Sequence, residues 1–208
     1  MSFDLFDETV PSGPLHILTV CTGNVCRSPL VEVMLRQVLH GLRVSVTSAG
    51  TGALVGEQMT PQNRRIADEF GIADAAAHRA RQLSRDMLEA ADLVLALTRD
   101  HRRAAVELVP RTAKKAFTLR EFARLADADE NMFFVEESGD AGATMRAAIA
   151  EIAGRRGVVP PPGNVADDDV IDPYRQSDDV YSASREQIVP AVNSTARALR
   201  RAVSSRGR

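Results

Sequence analysis

The chain has 208 residues, 44% hydrophobic and 26% charged, which suits one globular domain or one domain with an insertion. With 26 basic and 28 acidic side chains the formal net charge is −2, and nothing in that balance points to nucleic acid. Two cysteines are too few for a disulfide framework, no apolar run approaches the ~20 residues of a membrane span, and the acidic start lacks the parts of a signal peptide, so a cytoplasmic protein without a membrane partner is expected.

Residues 1–14 read as a flexible leader ending in Pro11-Ser12-Gly13-Pro14. Leu15 to Val20 is a short buried strand, and it ends at Cys21. A loop runs to Arg27, and Ser28-Pro29 is expected to open a helix, with serine at the cap and proline at the first helical position. Arg43 to Ser48 alternates as a second strand. A helix then runs from Pro61 to near Gly71, and another follows Ser84 as its cap. Asp92 to Leu97 forms a third strand, Arg99 to Val109 a helix, Lys115 to Phe117 a fourth strand and Leu119 to Leu125 a helix. Ala143 to Arg155 is helical, Pro160 to Gly163 and Asp167 to Asp169 mark an exposed loop, and a last helix from about Ser182 to Val203 is interrupted near Pro190. Strands alternating with helices at this spacing predict an α/β fold, a central four-stranded parallel sheet with helices on both faces.

The chemistry concentrates in Cys21-Thr22-Gly23-Asn24-Val25-Cys26-Arg27-Ser28, between a strand and a helix. Ligands of open α/β sheets bind beyond the carboxyl ends of the strands, where a helix N-terminus offers unpaired N–H groups. A loop coiling there can turn successive N–H groups inward as a nest for phosphate oxygens, with Gly23 expected to supply a positive φ. Such a field favours thiolate over thiol at Cys21, a nucleophile for phosphorus. Arg27 can hold two phosphate oxygens, Ser28 can steady the sulfur, and a general acid is still needed for the leaving oxygen. Asp172-Pro173-Tyr174 is the candidate, because proline keeps the preceding residue extended and Tyr174 adds an aromatic wall. His16, His40, His78 and His101 show no metal-ligand spacing and read as surface or helix-end residues, so neither a metal nor another cofactor is expected.

These segments together resemble the low-molecular-weight protein tyrosine phosphatase family, with its related arsenate reductases, over residues 15–125 and 170–203. The resemblance implies the phosphotyrosine phosphatase I-like fold, in a single domain at 15–208 with an insertion at about 127–168. It implies that Cys21 is the nucleophile, Arg27 the phosphate-binding arginine and Asp172 the proton donor. Thr22, Gly23, Asn24, Val25, Cys26, Ser28 and Tyr174 become substrate-binding positions, with Ser48 supporting the loop through Asn24. Cys26 matches a cysteine that forms a reversible disulfide with the nucleophile. Leu97-Thr98-Arg99 departs from relatives that carry an Asp there, and Ala53-Leu54-Val55 lacks an aromatic residue frequent at the mouth.

The expected partner is a phosphotyrosine protein, a bacterial tyrosine kinase among the candidates, with phosphate or arsenate as a small anion. Val25 stands where relatives acting on phosphoarginine have threonine, which favours phosphotyrosine. Arsenate reduction with an external thiol, phosphoarginine hydrolysis and a non-catalytic phosphate-binding module are the alternatives.

Overall fold

A computed structural model describes residues 13–128 and 140–204, so the predicted leader lies almost wholly outside the described residues. Four strands, β1 (Leu15–Cys21), β2 (Val44–Gly50), β3 (Leu93–Ala96) and β4 (Ala116–Thr118), form one parallel sheet in the order β2-β1-β3-β4. Register places Cys21 opposite Gly50, and Val20 between Ala49 and Ala96. The chain passes from β1 outward to β2 and then crosses back past β1 to β3, so a crevice opens at the carboxyl end of β1.

Side chains alternate along β1 because the strand's period is two. Leu15 and Ile17 join one buried cluster, and Leu18 and Val20 the other. Both faces are covered, which is why the strand reads as an unbroken apolar run. On the first face lie α1 (Arg27–Val38), α5 (Leu119–Asp127), α6 (Ala141–Gly154) and α7 (Asp178–Ser204), with α2 (Pro61–Glu69) beside α1. On the second lie α3 (Arg85–Ala90) and α4 (Arg99–Leu108). Thr118 and Glu121 close α5 with a reciprocal capping box, and Ser84 caps α3 by accepting the Met87 N–H. Among the described residues no helix is long and apolar enough to cross a membrane.

Two helix boundaries differ from the sequence expectation. α1 begins at Arg27 after Cys26, not at a Ser28 cap, because the Ser28 hydroxyl is turned to the Cys21 sulfur. α7 starts at Asp178 and runs through Pro190 unbroken. Proline removes one helical hydrogen bond there, but Ile188, Ala191 and Val192 are buried in the core on either side of it, and that packing carries the helix across.

Candidate active site

The loop from Cys21 to Cys26 is shaped by where its carbonyls go. Those of Cys21, Thr22, Gly23 and Val25 accept the N–H groups of Thr51, Gly52, Leu54 and Thr60, at 2.9 to 3.1 Å. The Asn24 carbonyl meets His78 Nε2 at 2.7 Å, and the Cys26 carbonyl accepts from Leu30 within α1. No described peptide is cis, and a trans unit points its N–H opposite to its C=O. Tying six successive carbonyls outward therefore turns the following N–H groups to the inside. One of them, Asn24 N–H, reaches the Cys21 sulfur at 3.3 Å.

The left-handed residue of this loop is Asn24, with φ 55°, and not Gly23. Asparagine tolerates that region when its short amide is held locally, and here it is fully engaged. Nδ2 donates to Ser28 Oγ at 3.0 Å and Ser48 Oγ at 2.8 Å, while Oδ1 accepts the Arg81 N–H at 2.8 Å. Ser48 in turn donates to the buried carboxylate of Glu32, which also pairs with Arg36. The glycine that the site requires is Gly50 at the end of β2. A Cβ there would stand 2.3 Å from the Thr22 carbonyl oxygen and 3.0 Å from the Asn24 nitrogen.

Cys21 is buried, and its sulfur lies 2.9 Å from Ser28 Oγ. Ser28 accepts the Asn24 amide, and its own proton lies within reach of both the sulfur and the Ala49 carbonyl, 3.4 Å away. Arg27, 4% exposed, extends from the first residue of α1 to the segment before α7. Its Nη1 donates to the Val170 carbonyl at 3.1 Å and its Nη2 to Asp172 Oδ2 at 2.6 Å, while its buried Nε has no protein partner. Asp172 Oδ1 accepts the Tyr174 N–H at 3.2 Å, so the Asp-Pro-Tyr turn braces its own carboxylate.

That turn is delivered by a strap that is exposed over most of 160–167, as expected, but is pinned at Asp168 and Asp169. The Asp169 carboxylate takes the Arg99 backbone N–H at 2.7 Å and its guanidinium at 2.8 Å, and Asp168 pairs with Arg124 at 3.0 Å. Val170, fully buried, donates to the Leu97 carbonyl at 2.9 Å. The aspartates read as a solvated run because their partners lie about 45 to 70 residues away in sequence.

Two histidines stand at helix ends, as expected, but are drawn inward rather than left at the surface. His78 lies under the loop, its side chain 5% exposed and its Nδ1 3.8 Å from Glu32; burial pushes its pKa down. His101 is buried between hydroxyls. Its Nε2 is 2.8 Å from Thr22 Oγ1 and its Nδ1 2.8 Å from Thr98 Oγ1, the N-cap of α4. Burial first, and then the Arg27 charge, lower its pKa to about 4. His78 has no local sequence signal, since tertiary contact recruits it, whereas His101 joins its own helix cap, Thr98, to the distant Thr22. Thr98, in the stretch where relatives carry an aspartate, therefore anchors a histidine. His16 and His40 are exposed as predicted.

Cys26 is a free thiol like Cys21, 3.6 Å from both Thr60 Oγ1 and Tyr181 Oη; burial pushes it up, and burial raises Tyr181 to about 12. Cys21, Thr22, Gly23, Val25, Cys26, Arg27, Asp172 and Tyr174 line one cavity of about 180 Å³, together with Gly52 and Leu54. Asn24, Ser28 and Ser48 are buried beneath it, so they shape the loop and the sulfur's surroundings. Leu54 occupies the mouth where no aromatic was found.

A cysteine under inward amides with an arginine and an aspartate at the rim defines a cysteine-dependent phosphatase site. The family model for low molecular weight phosphotyrosine protein phosphatases matches residues 16–133, and the chain belongs to that family. It is 40% identical over 117 residues to a protein-arginine-phosphatase of Geobacillus stearothermophilus, covering 56% of this chain and 76% of that protein. It is 43% identical over 102 residues to low molecular weight protein-tyrosine phosphatase A of Mycobacterium tuberculosis, covering 47% and 61%. The solved arginine phosphatase YwlE of G. stearothermophilus superposes with a TM-score of 0.63 at 29% identity, covering 90% of this chain and 94% of that one.

Proposed function

We propose that this phosphatase hydrolyses phosphotyrosine in proteins through a cysteinyl-phosphate. Cys21 attacks phosphorus while Asp172 gives its proton to the departing tyrosine oxygen. Asp172 then takes a proton from water as that water attacks phosphorus, and the Cys21 thiolate leaves. Inward amides and the Arg27 guanidinium spread over the equatorial oxygens, the task that metal ions perform in kinases. The bound anion competes with Asp172 for Arg27 Nη2 and can also take the unpartnered Nε. Ser28 and Asn24 N–H stabilise the sulfur as it departs. The observation that carries the mechanism is the row of outward-tied carbonyls around a cysteine that lines one cavity with the rim pair.

The phosphotyrosine reading rests on the apolar walls, Val25, Leu54 and Tyr174, which suit a flat ring and offer no side-chain hydrogen bond from position 25 to a guanidinium. Phosphoarginine is the second reading, favoured by the name of the 40% identical relative. Matched phosphotyrosine and phosphoarginine peptides separate the two. The wild type should prefer phosphotyrosine in kcat/KM, and Val25→Thr should move the ratio toward phosphoarginine. A wild type that prefers phosphoarginine overturns the assignment. Partners are then phosphotyrosine proteins, and the two free thiols fit the reducing cytoplasm.

A further inference from the structure

A second depression, of about 500 Å³, opens off the catalytic cavity and shares Val25, Leu54 and Tyr174 with it. It leads away from the mouth toward Pro61 and Arg64 at the start of α2, with Arg175 on the opposite bank. A phosphotyrosine side chain filling the catalytic cavity would leave its main chain at the Leu54–Tyr174 rim, where this groove begins. The groove therefore lies where the substrate's neighbouring residues must pass.

Two of its charges have no acidic partner among the described residues. Arg65, next to Arg64, meets Asp178 at 3.3 Å. Arg64 instead contacts the Gln58 amide oxygen at 3.3 Å, and Arg175 lies over the Tyr174 ring at 5.1 Å; among the described residues neither has a carboxylate within 4.0 Å. Arg175 also holds a left-handed backbone, φ 59°, in the turn that carries Asp172. Against these two guanidiniums the groove holds one carboxylate, Glu57.

Building on the phosphotyrosine reading, we propose that this groove binds the polypeptide on one side of the phosphotyrosine and selects substrates with aspartate or glutamate there. Arg64 and Arg175 each contribute a solvent-exposed attraction worth a few-fold, about tenfold together, and screened by salt.

The test uses phosphotyrosine peptides carrying acidic, alanine or lysine residues on either flank. kcat/KM is measured for wild type, Arg64→Glu and Arg175→Glu, each normalised to that variant's turnover of p-nitrophenyl phosphate. On one flank the acidic peptide should exceed the lysine peptide by about tenfold at low salt and less at high salt, and both variants should shrink or reverse that preference. Equal kcat/KM for all peptides, or a preference that survives in both variants, overturns the groove while leaving the phosphatase reading intact. Hydrolysis of no phosphotyrosine peptide overturns the underlying reading, and the groove proposal falls with it.

Discussion

Gly50 and Gly23 separate two kinds of glycine at one loop. A methyl on Gly50 must displace the Thr22 carbonyl or the Asn24 nitrogen, whereas one on Gly23 meets Val25 and Leu54 side chains at 3.5 and 3.8 Å, ordinary contacts. Gly50→Ala should lower kcat/KM by ~10²-fold by misplacing the amides, and Gly23→Ala far less. Steady-state kinetics on p-nitrophenyl phosphate check this order, and equal losses would contradict it. The sequence identified the loop's residues but misassigned its left-handed position, because asparagine's ability to hold that backbone depends on Ser28, Ser48 and Arg81, which spacing alone does not bring together.

His101 carries a pH prediction at the same scale. Its folded pKa, about 4, lies below the unfolded 6.5, so the unfolded chain takes up the proton first as pH falls. Stability from this residue is complete above pH 6.5 and is lost progressively toward pH 4, by at most about 1.4 kcal/mol per pH unit. His78, also lowered, acts in the same direction. Denaturant unfolding at stepped pH should show a shallower acid slope for His101→Gln than for wild type, and an unchanged slope would contradict the assignment.

Among elements, the strap before α7 decides whether Asp172 can act. It is pinned from α4 by Arg99, from α5 by Arg124 and from the end of β3 by Leu97, so its stiffness comes from three separate places in the chain. Arg99→Ala should therefore act on the proton donor more than on the nucleophile. It should lower kcat roughly tenfold on phenyl phosphates with poor leaving groups and little on those with good ones. A loss independent of leaving group would make Arg99 merely structural. Proline before Tyr174 was a readable cue for a stiff aspartate, whereas the Asp168 and Asp169 pairings were not, since ion-pair partners far apart in sequence leave no local pattern.

At the scale of the whole molecule, the alternation of strands and helices was legible because β1 and β3 are short apolar runs and β2 alternates apolar with polar residues. The segment 127–168 was harder. Read as an insertion of unknown role, it contains α6, whose Met145, Ala148, Ile149 and Ile152 are buried in the same cluster as α1, α5 and α7. Arg146 ties it to Asp92 at the base of β3 at 2.8 Å, and Arg156 lies 3.7 Å over the Phe117 ring. We therefore read α6 as part of one domain and not as an appended partner surface. Met145→Ala should destabilise the fold by about 2–5 kcal/mol in denaturant titration, the cost of a core cavity, and a change under 1 kcal/mol would favour a loosely attached segment.

Every catalytic role assigned above requires phosphorus to pass through the Cys21 sulfur. Rapid acid quench of wild type turning over a phosphotyrosine peptide, followed by mass analysis of its proteolytic fragments, tests this most directly. One added phosphoryl group is expected on the fragment containing Cys21, forming within the first turnover and absent from Cys21→Ala under the same quench. Turnover at the full rate by Cys21→Ser, or a phosphoryl group trapped on another residue, would contradict it.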